Sequence, residues 1–186
     1  MAMIFNQLLL GFGEIGHALV RDLSVWWVLT PIFLLWISME LYFGEYKQEQ
    51  LGFSSALANG VSLAWVSVTS LRLFTFEEGL QLTLQFLILL FFLLYSVIII
   101  WASFMHTFSP QGVSILASPS LIYFFSTLSV LWGQRLLTIN IGIVSAFIIL
   151  FLLIYLLLFV IKRQLGVLGE IETVKYAGNQ NKQQNQ

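Results

Sequence analysis

Long apolar stretches separated by short charged segments dominate the chain. Stretches without Asp, Glu, Lys or Arg run from 23 to 39, 50 to 71, 79 to 134 and 136 to 161. A helix that crosses a bilayer needs about 20 apolar residues, because each adds ~1.5 Å across a ~30 Å hydrocarbon core. The third stretch is long enough for two crossings, and Ser109-Pro110-Gln111-Gly112 in its middle is typical of a turn. The pattern therefore predicts an all-α, polytopic membrane helical bundle.

Five transmembrane helices follow from this division. We expect them at about 24–43, 53–73, 80–104, 116–134 and 137–161. Helices satisfy their backbone hydrogen bonds internally, which hydrocarbon requires, and the ten-residue alternation of a β-barrel is absent. The apolar segment 113–117 between the third and fourth helices is either a loop along the membrane surface or a re-entrant element.

The first 22 residues form a separate unit in this interpretation. At ~100° per residue, the polar side chains fall on one side of a helix and the large apolar side chains on the other. The polar set is Asn6, Gln7, Glu14, His17 and Arg21, and the apolar set is Phe5, Leu8, Leu9, Phe12, Ile15 and Leu19. This pattern is typical of an amphipathic helix that lies in the membrane interface. A sixth span is the alternative, which would need a partner for Glu14 and His17 inside the membrane.

The end of the chain changes from apolar to polar. The 23–163 bundle is followed by a polar tail at 164–186, which we expect to be disordered from about 177, where the sequence is AGNQNKQQNQ. Lys162 and Arg163 directly follow the last span, and positive residues favour the cytoplasmic side. We therefore expect a multi-pass protein of the cell membrane, with its C-terminus cytoplasmic and its first span entered from outside.

Composition excludes several classes of protein. Charged residues make up 9% of the chain and hydrophobic residues 59%, with a mean hydropathy of +0.90. A soluble domain carries about 25% charged residues, so the bilayer is the expected surrounding. The net charge of −1 argues against nucleic acid as a partner. The absence of cysteine excludes disulfides and thiolate-held metals.

The second predicted span carries the most unusual pattern. Ala56, Gly60 and Ala64 form a row of small residues, which allows close helix packing. A polar stripe lies beside this row and consists of Ser55, Asn59, Ser62, Thr69 and Ser70. Little of this helix is left to face lipid, so we expect protein around it, from this chain or from a partner. The stripe lines a hydrated path on one interpretation and supplies interhelical hydrogen bonds on the other.

Three acids cluster at the inner end of the first span. Glu40 lies within the last turns of that span, and Glu45 and Glu49 follow it with helical spacing. A carboxylate inside a membrane is costly unless it reaches water or a partner, which makes Glu40 a functional candidate. The group is either a binding site for a cation or a basic partner, or a solvated charged loop.

Residues for catalysis are scarce. The chain has two histidines and one aspartate, and the predicted topology places the histidines on opposite sides of the membrane. We therefore expect no enzyme activity, no cofactor and no metal site. The leading hypothesis is a non-enzymatic membrane protein in a homo-oligomeric assembly, as a cation-conducting channel along the second span. The alternatives are an accessory subunit that binds another membrane protein and, less favoured, a carrier of a small solute or lipid.

Overall fold

Helices account for all regular structure in the part of the chain that the computed structural model describes, which is residues 2–45, 52–78, 82–106 and 108–184. The helices are α1 (Ala2–Arg21), α2 (Trp26–Glu45), α3 (Phe53–Glu78), α4 (Leu84–Met105), α5 (Pro110–Leu116), α6 (Pro119–Gly133) and α7 (Ile141–Gln184). A short 3₁₀ turn, Leu23–Val25, links α1 to α2. The prediction of an all-α fold is confirmed for these residues.

Five segments are long and apolar enough to cross a membrane. They are Leu23–Tyr42, Phe53–Phe76, Leu84–Met105, Gln111–Gly133 and Ile141–Ile161. The predicted number of spans is therefore confirmed by length and composition, and the chain is of the multi-pass membrane type. The third span begins later than predicted because Thr83 caps α4, its hydroxyl accepting a hydrogen bond from the Phe86 N–H at 3.3 Å.

The predicted turn at 109–112 is instead the start of a helix. Ser109 caps α5 by accepting the N–H of Gly112, and Pro110 occupies the first turn, where its missing N–H costs nothing. The segment 113–117 accordingly belongs to α5 and its C-terminal cap rather than to a loop. Two of its side chains, Val113 and Ala117, are buried in a small core that α3 and α4 share.

The most enclosed helix in the described part of the chain is α6, whereas the sequence pattern predicted that protein would surround α3. Just over half of the fourth span, 56%, is buried inside the chain, against 33% of the second. α6 packs against α2, α3 and α4, and its many small hydroxyl side chains allow neighbours on several sides. The outer face of α3 exposes Val61, Trp65 and Val68, so no other described part of the chain covers that side.

The N-terminal helix packs onto the bundle. α1 is present over nearly the predicted range, and its side chains Ile15 and Ala18 join the same core as Ile143 and Ala146 of α7. Gly11 and Gly142 allow this contact, because a Cβ added to either would overlap main-chain atoms of the opposite helix. The position of α1 in the membrane interface stays a prediction.

The last helix is longer than expected. α7 continues past Ile161 to Gln184, through most of the tract that we expected to be disordered from about 177. A helix bonds its own backbone and needs no tertiary partner, and no proline interrupts the chain after Pro119. The helix therefore extends through sequence that contains no helix-breaking proline.

Candidate intramembrane polar site

The junction between α5 and α6 leaves two carbonyls without a main-chain donor. Pro119 begins α6 and has no N–H, so α5 cannot continue unbroken into α6. Asn59 of α3 donates its amide N–H to the carbonyl of Ala117 at 2.8 Å. Tyr95 of α4 donates its hydroxyl to the carbonyl of Leu116 at 2.7 Å. Side chains from two neighbouring helices thus satisfy the break in the fourth span.

Asn59 is held at both ends of its amide. Its side chain is 1% exposed, and the hydroxyl of Tyr123 on α6 donates to its Oδ1 at 3.4 Å. That second bond is long and therefore weak, whereas the bond to Ala117 has ordinary length. Asn59 consequently fixes α3 to the start of α6, which corresponds to the interhelical interpretation of the polar stripe.

Glu40 lies buried among three helices. It belongs to α2, is 3% exposed, and accepts a hydrogen bond from the hydroxyl of Ser120 on α6. A small cavity of about 30 Å³ adjoins the pair and is also lined by Tyr155, Leu158 and Phe159 of α7. Such a volume holds about one water-sized particle. Glu40, Ser120 and Tyr155 thus border a small hollow between α2, α6 and α7, beside the exposed side chains of Tyr155 and Phe159.

A seam of hydroxyl groups continues between α3 and α6. Two contacts set the register of these helices, one between Asn59 and Tyr123 and one between Ser70 and Gly133. Residue numbers rise in the same direction along both helices from the first contact to the second, so α3 and α6 run parallel. Ser67 and Ser129 each lie about one turn before the second contact and are therefore level with each other. Both hydroxyls are buried and have no hydrogen-bond partner among the described residues.

The predicted polar stripe divides between two environments. Asn59 and Ser70 are buried in the seam, while Ser55, Ser62 and Thr69 are only partly buried. Ser62 donates to the Ala58 carbonyl of its own helix at 2.9 Å. The division arises because the five side chains spread over about 100° of α3, which is wider than the contact with one helix.

The other predicted site residues also have different positions. Ala56 and Gly60 are buried, Ala64 is half-buried, and a Cβ on Gly60 would lie 3.0 Å from the Ile99 side chain of α4. Glu45 ends α2, but its side chain, like the whole of Glu49, lies outside the described part of the chain. Of the three acids, the structure therefore places Glu40 alone.

Sequence reasoning missed the residues that complete the site. These are Ser67 on α3, Tyr95 on α4, and Ser120, Tyr123 and Ser129 on α6. Pro119 could have indicated that Ser120 and Tyr123 belong to a polar site, because a proline within a span frees carbonyls that nearby polar groups must satisfy. The signal for Ser67 was its position three residues before Ser70, on the same side of the helix.

Comparison with known proteins adds no relative to this geometry. No protein-family model, no curated protein and no solved structure matches the chain. The chemistry of the buried groups is therefore the basis for assigning a role. That chemistry is oxygen-rich: a carboxylate, several hydroxyls and an amide lie inside a bundle whose outside is apolar.

Proposed function

We propose that the protein is a non-enzymatic integral membrane protein that lets a cation cross the bilayer, with Glu40 as the group that the cation meets. The observation that carries this proposal is the enclosure of the Glu40 carboxylate between α2, α6 and α7. Ionisable groups within spans are expensive and usually belong to ion or proton pathways. Ser120 adds a hydroxyl oxygen within hydrogen-bond distance of this carboxylate, and such oxygen groups suit hard cations.

The polar seam between α3 and α6 supports a route away from Glu40. Ser120 lies one turn before Tyr123 on α6, and from there the seam passes Asn59 and continues to Ser67 and Ser129. The seam is closely packed, so conduction requires α3 and α6 to separate. The buried hydroxyls of Ser67 and Ser129 would then meet water or the ion, which favours this seam as the moving part.

Self-association is part of the same proposal. The outer face of α3 exposes Val61, Trp65 and Val68, with the half-buried Ser62 and Thr69 along its flank. Hydroxyl side chains can hydrogen-bond between helices in a membrane, and contacts of this kind support a second copy at this face. The assembly would lie in the cell membrane with the C-terminus in the cytoplasm.

Flux into liposomes tests the proposed role of Glu40. Purified wild-type protein should carry Na⁺ or H⁺ down an imposed gradient, and Glu40→Gln should lower that flux by at least about tenfold because it removes the charge. Glu14→Gln is the matched control, since Glu14 is exposed on α1. Absence of wild-type flux in any ion gradient, or equal flux in wild type and Glu40→Gln, would exclude the pathway.

An accessory subunit is the second candidate function. It is favoured by the observation that both the amide nitrogen and the amide oxygen of Asn59 are hydrogen-bonded to the α5–α6 segment, so this side chain joins helices. Purification in mild detergent separates the two candidates. A self-associated species of defined symmetry supports the channel, whereas a monomer that brings a different membrane protein with it supports the accessory subunit.

A further inference from the structure

A cleft of about 850 Å³ lies between α1 and the segment that connects α6 to α7. Its charged and ionisable lining comprises Glu14, His17, Arg21, Asp22 and Arg135. Its apolar lining includes Leu9, Leu10, Leu136 and Leu137. A second hollow of about 470 Å³ shares Leu10 and Glu14 with it and extends the groove toward Gly142. Volumes in this range are typical of sites for small ligands.

Fixed contacts hold both walls of the cleft. At one end, Gly11 and Gly142 bring the backbones of α1 and α7 into contact. At the other end, the indole N–H of Trp26 donates to the Leu19 carbonyl at 2.8 Å and ties the end of α1 to α2. Arg135 forms part of the opposite wall. The cleft is therefore a feature of helix packing rather than a gap beside a loose helix.

The charges in the cleft have both signs. Arg135 donates to the Phe74 carbonyl at 3.2 Å and lies over the Phe74 ring at 4.3 Å, so its positive charge has a fixed position. Arg21 adds a second, exposed positive charge at the end of α1. The cleft also carries two acids: Asp22, whose carboxylate accepts the Ser24 N–H, and Glu14, whose side chain is exposed on α1.

We propose that this cleft binds one zwitterionic phospholipid, such as phosphatidylethanolamine. The phosphate would lie near Arg21 and Arg135, the ammonium group near Glu14, and an acyl chain along the leucine side chains. Binding at this cleft is independent of cation movement past Glu40, which lies in a different cavity between α2, α6 and α7.

Charge complementarity and the surroundings select this class of ligand. An anion alone would face Glu14 and Asp22, and a cation alone would face Arg21 and Arg135, whereas a zwitterion meets charges of both signs. The leucine lining has no role for a free phosphate compound but accommodates a hydrocarbon chain. Next to the cleft, Val20, Leu23 and Trp27 are 70–86% exposed, as expected where lipid rather than water surrounds the protein.

Native mass spectrometry of the full-length protein in mild detergent tests the proposal. The protein is mixed with equal amounts of phosphatidylethanolamine and phosphatidylglycerol, and the lipid that stays bound is counted. Wild type should retain phosphatidylethanolamine preferentially. Arg21→Gln should lower retention of both lipids by about tenfold, and Glu14→Gln should abolish the preference, because each removes one charge-assisted contact. Arg72→Gln is the control, since Arg72 is exposed on α3, away from the cleft.

The other outcomes each overturn the proposal. Equal retention of the two lipids by wild type would show that the cleft does not select a zwitterionic headgroup. Displacement of the lipid by soluble phosphoethanolamine would show that the headgroup alone is sufficient for binding, as expected of a site for a soluble metabolite. If Arg21→Gln and Glu14→Gln both retained the lipids as wild type does, the bound lipid would lie elsewhere on the protein surface.

Discussion

Several long polar side chains in this bundle bond to main-chain carbonyls of neighbouring helices, whereas most serine and threonine hydroxyls bond to their own helix. Asn59 and Tyr95 reach the carbonyls next to the proline break, and Arg135 reaches the carbonyl of Phe74. In hydrocarbon a freed carbonyl has no water to accept from, so its satisfaction depends on such side chains. Breaks in the helices therefore determine where buried polar residues are needed.

Replacement of Asn59 measures this dependence. Asn59→Leu removes the donor to Ala117 and leaves that carbonyl unsatisfied inside the bundle. We expect the free energy of unfolding in detergent to fall by about 1–2 kcal/mol. Ser62→Ala is the matched control on the same helix, because its hydroxyl bonds only to its own backbone at Ala58, and its effect should be under about 0.5 kcal/mol. A stabilised Asn59→Leu variant would show that the carbonyl finds another donor.

Asp22 gives the junction of α1 and α2 a dependence on pH. Hydrogen bonds from the side chain and then the backbone of Ser24 hold the pKa of its carboxyl below the ordinary value of 3.8. A carboxyl whose pKa is lower in the folded chain stabilises the fold at any pH above its pKa in the unfolded chain. This contribution is lost as the pH falls through the pKa in the folded chain. The thermal stability of wild type should therefore exceed that of Asp22→Asn at neutral pH. The difference should shrink as pH falls below 3.8, and a constant difference would contradict the assignment.

At the level of helices, two glycine contacts set the distances between neighbours. Gly11 brings α1 against Gly142 of α7, and Gly133 brings α6 against Ser70 of α3, where an added Cβ would lie 2.5 Å from the Ser70 Cβ. Membrane helices gain little from hydrophobic attraction to one another, so close backbone approach supplies much of their packing energy. A methyl group at either contact is therefore expected to shift a whole helix.

Gly11→Ala should move α1 away from α7, because its Cβ would overlap main-chain atoms that cannot rotate aside. Gly13→Ala is the control: nothing lies within 4 Å of its added Cβ, and alanine favours a helix by about 1 kcal/mol. The chain has no cysteine, so spin labels can be placed at the exposed Gly16 and Ile148 alone. The distance between the labels should lengthen and broaden in Gly11→Ala and stay unchanged in Gly13→Ala. Unchanged distances in both would show that this contact does not position α1.

Helices whose boundaries depend on local chemistry were predictable from the sequence. The lengths of the uncharged stretches gave five spans, whereas the predicted turn around Pro110 is the start of α5. The enclosure of α6 was not predictable, because the mean hydropathy of a span does not show which other helices pack around it. The partner of Asn59 was equally hidden, since a carbonyl 58 residues away comes near only through the packing of α3 on α6.

For the whole molecule, lipid is the surrounding that explains the distribution of apolar side chains. Trp27, Trp65 and Phe76 are more than 70% exposed on different helices, and only 22% of the last span is buried. Buried positions meanwhile include Glu40, Asn59 and many serines. This arrangement, apolar outside and partly polar inside, suits a protein whose solvent is hydrocarbon.

The orientation of the molecule decides which side of the membrane the lipid cleft faces. Lys162 and Arg163 follow the last span, so the end of α7 is expected in the cytoplasm and the cleft outside. Single cysteines at Asn140 and Gln164, exposed on either side of that span, test this in whole cells with a membrane-impermeant maleimide. Asn140→Cys should be labelled in intact cells, and Gln164→Cys only after permeabilisation. The reverse pattern would turn Arg21 and Glu14 toward the cytoplasm, and labelling of both in intact cells would show that α7 does not cross the bilayer.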